Sequence, residues 1–136
     1  MPAKRNVLVV EDNKLLRDTV RKIFEEVGFE VAEAASTDEA LKSLERGAFD
    51  LVFSDNSFPK FADSRDGPVR DQGLELLKWM RFEKKYEGTA FILHTGDLAT
   101  AATEVEKLNG ILLPKGQTTP KIIEVVKAAL EEKVPA

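Results

Sequence analysis

The 136 residues amount to one domain's worth of chain, and 43% apolar residues suffice for a single core without cross-links. With no cysteine, a disulfide scaffold, a thiolate metal site and a thiol nucleophile are excluded. Lys and Arg number 20 against 24 Asp and Glu, a net charge of −4 with no basic block, which argues against broad nucleic-acid binding.

Lys4 and Arg5 precede an apolar run of only Val7 to Val10, cut off by Glu11 and Asp12, which is too short for a signal-peptide core. No stretch approaches the roughly 18 apolar residues of a membrane span, so a cytoplasmic protein with no membrane partner is expected.

Val7-Leu8-Val9-Val10 reads as a first strand. Leu16, Val20, Ile23, Phe24 and Val27 then recur at helical spacing, a core stripe on a first helix closed by Gly28. Val31 to Ala34 is a second strand, and Ser36-Thr37-Asp38-Glu39 opens a second helix with a capping-box pattern, with Gly47 after its last turn. Leu51-Val52-Phe53 follows as a third strand. Leu74, Leu77 and Met80 line a third helix, Phe91-Ile92-Leu93 is a fourth strand, and Ala99 to Leu108 is a weaker fourth helix. After the fifth strand, Ile111-Leu112-Leu113, Thr119 and Pro120 supply a cap and a first-turn proline before Ile122, Val126, Ala129 and Leu130.

Three of the strands are nearly continuous apolar runs, as parallel strands covered by helices on both faces require. Five strand–helix units with right-handed crossovers imply an α/β fold of the doubly wound, flavodoxin-like kind, a five-stranded parallel sheet in the order 2-1-3-4-5 with five helices. A ligand crevice is then expected outside the carboxyl ends of strands 1 and 3. The reading is of one domain over 1–136, with its core at about 6–131. The irregular stretch Pro59 to Gly73 is long for a strand-to-helix loop of about 2–6 residues, and carries Lys60, Arg65 and Arg70 against Asp63, Asp66 and Asp71.

Function is expected at those carboxyl ends. Glu11 and Asp12 follow strand 1, Asp55 follows strand 3, His94 and Thr95 follow strand 4, and Lys115 follows strand 5. Three converging carboxylates repel one another and raise each other's pKa unless a cation sits among them. Hard oxygen ligands suit Mg²⁺. The ion's two charges and that of Lys115 would neutralise the three acids, and the same two cations would make an acyl phosphate on Asp55 tolerable. That is the logic of phosphoryl transfer, in which the protein mainly positions groups and stabilises charge.

These residues resemble the receiver domain of two-component response regulators. The resemblance runs from Val7 to Leu130 and rests on Val7-Leu8-Val9-Val10-Glu11-Asp12, Leu51-Val52-Phe53-Ser54-Asp55 with Pro59 four residues on, Gly73-Leu74-Glu75-Leu76-Leu77, Phe91-Ile92-Leu93-His94-Thr95 and Leu113-Pro114-Lys115. It implies that Asp55 is the phosphoacceptor, taking a phosphoryl group from the phosphohistidine of a sensor histidine kinase or a phosphotransfer protein. It further implies that Asp12, Asp55, the backbone carbonyl of Ser57 and Glu11, often through water, hold Mg²⁺. Lys115 would contact the phosphoryl oxygens and Thr95 would swing toward them, switching the face of helix 4, strand 5 and helix 5 toward an unknown protein target.

Some positions depart from that pattern. Gly73 lies eighteen residues after Asp55, which marks an insertion at about 60–72 that would overhang the site. Pro114 precedes Lys115 where the family usually has a proline after it, and Leu112 stands where many receivers carry an aromatic switch residue. These departures keep a second reading open, a pseudo-receiver that binds a partner without phosphorylation. A phosphatase with an aspartyl nucleophile would need a second acid two residues after Asp55, where Ser57 stands, so an acceptor rather than an enzyme is expected. His94 is read as a structural strand residue. Six residues follow Leu130, and a stand-alone receiver with no output domain is the expectation.

Overall fold

The computed structural model describes residues 4–63, 65, 67–96 and 102–131. Five parallel strands, β1 (Asn6–Val10), β2 (Glu30–Ala34), β3 (Leu51–Ser54), β4 (Ala90–Thr95) and β5 (Ile111–Pro114), form one sheet in the order 2-1-3-4-5. The helices are α1 (Lys14–Glu26), α2 (Thr37–Arg46), α3 (Gln72–Phe82), α4 (Ala102–Lys107) and α5 (Thr119–Glu131), with a short 3-10 turn at Lys84–Tyr86. This is the doubly wound arrangement expected from the alternating pattern. β1, β3 and β4, whose apolar runs are unbroken, are buried along nearly their whole length, whereas β2 and β5 take the half-covered edges.

Strand alternation sorts the core into two layers. Leu8, Val10, Val52, Phe91 and Leu93 face α2, α3 and α4, while Val7, Val9, Leu51, Phe53 and Ile92 face α1 and α5. Phe24, Phe53, Phe58 and Phe91 are among the largest fully buried side chains. Each contributes roughly 1.5–3 kcal/mol of transfer free energy.

The helix ends explain where the chain turns. At the end of α1, Gly28 N–H donates to Glu25 O and Phe29 N–H to Phe24 O, both at 3.0 Å, with Gly28 at φ +96°. That pair of bonds is a Schellman motif, completed by the edge-on contact of the Phe24 and Phe29 rings at 6.1 Å. α2 opens with the Ser36 hydroxyl accepting from Glu39 N–H, while the Glu39 carboxylate reaches Ala35 N–H at 2.8 Å, a capping box displaced by one residue.

Two expectations shift and one goes untested. α5 begins at Thr119, and its cap is Thr118, whose hydroxyl accepts from Lys121 N–H at 3.4 Å, one residue earlier than the Thr119-Pro120 reading. Pro120 still sits in the first turn, where its missing N–H costs nothing. His94 and Thr95 are the last residues of β4 rather than its successors. The fourth helix is described from Ala102, so the stretch 99–101 that the sequence assigns to it lies outside the described residues.

Described residues of the long connection from β3 to α3 are tied down at several points. Phe58 and Val69 form an antiparallel bridge, each N–H donating to the other's carbonyl, at 3.3 and 3.0 Å. Thr37 N–H donates to Pro59 O and Asp38 N–H to Lys60 O, both at 3.0 Å, and Ala62 N–H donates to Asp38 Oδ1 at 3.0 Å. The excursion therefore satisfies the free N–H groups at the start of α2.

Candidate functional site

β1 and β3 are neighbours in register, Val10 beside Ser54, so the residues that follow them emerge side by side. Glu11, Asp12 and Asp55 each offer a carboxylate oxygen within 4.8 Å of the other two. Lys115, which follows β5, reaches across β4 to place Nζ 3.2 Å from Asp55 Oδ1 and 3.5 Å from Glu11 Oε1. Its backbone N–H donates to Thr95 O at 3.0 Å, tying the end of β4 to the same loop. Ser57 lies two residues beyond Asp55 in the turn leaving β3, half-buried.

Burial makes this cluster costly. Glu11 is only 4% exposed, and its carboxyl is raised from an ordinary 4.5 to about 7, first by burial and then by Asp55, against the lowering effects of Asn13 N–H and Lys115. Mutual repulsion, the cause expected from sequence, is thus the second influence rather than the first. Burial also works against the charge on Lys115, as its largest single influence, but Asp55 and Glu11 together hold the lysine above its ordinary value. Glu11 is fixed from two sides: its Oε2 accepts from Asn13 N–H at 3.2 Å, and its carbonyl accepts from Arg17 Nη1 at 2.9 Å.

Three hard carboxylate oxygens within 4.8 Å of one another are the donor type a small divalent cation takes; ligands at about 2.0–2.1 Å stand no more than about 4 Å apart, so the three would draw slightly closer around one ion. Without one, Glu11 carries its charge only partly at neutral pH.

His94, 5% exposed, stacks at a tilt on Phe53 with ring centroids 4.9 Å apart, and its Nε2 has no hydrogen-bond partner among the described residues. Its pKa falls from 6.5 to about 4 through burial and then Lys115, with Asp55 opposing. It is a core residue at neutral pH, as read from the sequence.

Sequence reasoning passed over Asn56, which is 5% exposed. Its N–H donates to Asp55 Oδ1 at 2.8 Å, its Oδ1 accepts from Leu74 N–H at 3.0 Å, and its Nδ2 donates to Asp71 Oδ1 at 3.0 Å. Gly73, in the first turn of α3, faces the same turn. A Cβ there would collide with the Asp55 carbonyl and lie 2.7 Å from Leu93 Cδ1, so only glycine lets α3 start against the turn after β3. At the other end of the sheet a cavity of about 390 Å³ opens beside Arg46, Phe49, Lys85 and Tyr86, remote from the acids.

The family profile of the response regulator receiver domain matches residues 7–127. The chain belongs to the response regulator receiver domain family. It is therefore a receiver of two-component signalling, and its sheet is the one this family uses. The receiver is 29% identical over 109 residues to the CAI-1 autoinducer sensor kinase/phosphatase CqsS of Vibrio cholerae, covering 79% of this chain and 14% of that protein. It is 28% identical over 123 residues to a response regulator receiver protein of Anaeromyxobacter sp., covering 89% of this chain and 47% of the other. The chain thus spans less than half the length of either relative. Among solved structures it resembles a CheY-like receiver domain from Methanospirillum hungatei, at a TM-score of 0.80 and 22% identity over 96% of this chain and 97% of that one. The chemotaxis response regulator CheY4 of Vibrio cholerae gives 0.75 and 24% over 93% and 99%. These likenesses speak for the fold. No helix among the described residues is long and apolar enough to cross a membrane.

Proposed function

We propose that this receiver is a phosphoacceptor: an Asp55 carboxylate oxygen forms a bond to phosphorus as the phosphorus–nitrogen bond of a phosphohistidine breaks, the donor being a sensor histidine kinase or a phosphotransfer protein. The observation that carries this is the convergence of Glu11, Asp12 and Asp55 within 4.8 Å under the ammonium of Lys115. Glu11, Asp12, Asp55 and the carbonyl of Ser57 would hold Mg²⁺, which when bound supplies charge neutralisation for the entering phosphoryl group. Lys115 holds a second positive charge against Asp55 Oδ1, where a phosphoryl oxygen would come to lie. Thr95, buried at the tip of β4, is the hydroxyl proposed to close on the modified Asp55, and the change would pass to the α4, β5 and α5 face that meets a protein target. The single-domain reading over 1–136, its insertion at about 60–72 and a cytoplasmic setting belong to the same proposal.

Incubation with Mg²⁺ and acetyl phosphate should add one phosphoryl mass by intact mass spectrometry. Asp55→Asn or removal of Mg²⁺ should abolish it. An adduct that persists in Asp55→Asn would name a different acceptor, and no adduct in the wild type would favour a module that signals without phosphorylation.

A further inference from the structure

α3 is capped from an unusual place. The residue before it, Asp71, sits in the left-handed region at φ 63° and its side chain makes no cap bond. The cap comes instead from Asn56, whose Oδ1 accepts from Leu74 N–H and whose carbonyl accepts from Gly73 N–H at 3.2 Å. The Asp71 carboxylate is turned to accept from Asn56 Nδ2. Asn56 thus spends both ends of its amide on the far end of the β3–α3 connection and its backbone N–H on Asp55 Oδ1. A primary amide has one plane, so fixing its oxygen on α3 and its nitrogen on Asp71 fixes the residue that holds Asp55.

We infer that Asn56 is a positioning residue for the acceptor, and that the Asn56–Asp71 bond transmits the conformation of the 57–71 connection to the Asp55 carboxylate, setting how readily it takes a phosphoryl group. The inference rests on the phosphoacceptor reading for its kinetic consequence but not for its geometry. Asp55 Oδ1 is shared between Asn56 N–H and Lys115 Nζ. A turn free to rotate about Asn56 would let that oxygen leave one of them. A carboxylate that must first be reoriented reacts more slowly even when its ion still binds.

The test uses the full chain with two substitutions at position 71, outside the acid cluster. Asp71→Gly keeps the left-handed backbone and removes the acceptor of the Asn56 amide, whereas Asp71→Asn keeps both, since asparagine tolerates that φ and offers an amide oxygen. With acetyl phosphate and Mg²⁺, the limiting rate of phosphorylation should fall at least about fivefold in Asp71→Gly, on the scale of one hydrogen bond expressed as a rate, and be rescued in Asp71→Asn. The concentration of Mg²⁺ giving half-maximal rate should not change. In parallel, the amide proton resonance of Asn56, which reports its bond to Asp55, should move in Asp71→Gly and return in Asp71→Asn. Equal rates and an unmoved amide in Asp71→Gly would overturn the inference. If the wild type takes up no phosphoryl group, the phosphoacceptor reading falls, and the amide resonance alone decides whether Asn56 relays the loop to Asp55.

Discussion

The Cα atom of Gly73 faces the carbonyl oxygen of Asp55 so closely that a Cβ on it would fall well inside 3.0 Å of that oxygen. Gly73→Ala must therefore push α3 away from the turn that carries Asp55, since a backbone carbonyl cannot swing aside as a side chain can. A loss of about 1–3 kcal/mol of unfolding free energy is expected, in the range of overpacking, read from urea denaturation. Phosphorylation by acetyl phosphate should fall as well. A variant with wild-type stability would show that the turn yields without cost.

Glu11 and His94 pull the pH dependence of stability in opposite directions. Glu11 binds its proton more tightly folded, at about 7 against 4.5, so its contribution is largest below 4.5 and is lost as pH rises through 7. His94 is held neutral when folded, at about 4 against 6.5, so its contribution is present above 6.5 and lost as pH falls through 4. Each effect is on the order of 3 kcal/mol at most, and they overlap, so the metal-free wild type should show a nearly flat stability between these limits. Glu11→Gln should unmask a stability that rises with pH, and His94→Met one that falls with pH. Thermal unfolding across pH 4.5 to 7 checks both. Parallel curves for all three proteins would remove these two residues as the source.

Arg81 donates to five backbone carbonyls: Nε to Leu108 at 2.6 Å, Nη1 to Tyr86, Glu87 and Thr89 at 3.2, 3.3 and 2.8 Å, and Nη2 to Asn109 at 3.4 Å. It joins the end of α3 to the turns before β4 and β5. An ammonium cannot spread over five acceptors, so Arg81→Lys should cost about 1–3 kcal/mol in urea denaturation despite keeping the charge. An unchanged midpoint would mean that these turns hold without it.

If the acids take up Mg²⁺, the ion should stabilise the fold by mass action, by about 2.7 kcal/mol at a hundredfold excess over its dissociation constant. Asp12→Asn should shrink that gain, measured as the rise in unfolding midpoint with added MgCl₂. A midpoint indifferent to Mg²⁺ in the wild type would remove the metal from the proposal.

What was legible in the sequence was local. Gly28 and Ser36 announced their helix ends because the bonds they make lie within a turn of them, and Glu11, Asp12, Asp55 and Lys115 were legible because each stands within two residues of the end of an apolar run. The start of α3 was not, since its cap is Asn56, remote along the chain, while the adjacent Asp71 offers a capping residue type that is used for something else. Arg81 carries no signal in the sequence because its acceptors are backbone carbonyls, which any residue supplies. The Thr118 cap was missed for a smaller reason: two threonines in a row satisfy the same pattern.

Lys115 and Glu11 stand 104 positions apart, and the lysine arrives only with the final strand of the sheet. During translation the acids of the first strand leave the ribosome long before their counter-charge exists. A nascent chain that has made everything through β4 holds its carboxylates without the cation that balances them. Neutralisation of the acid cluster by Lys115 thus waits until β5 has been made and docked beside β4, a dependence that comes from strand order alone.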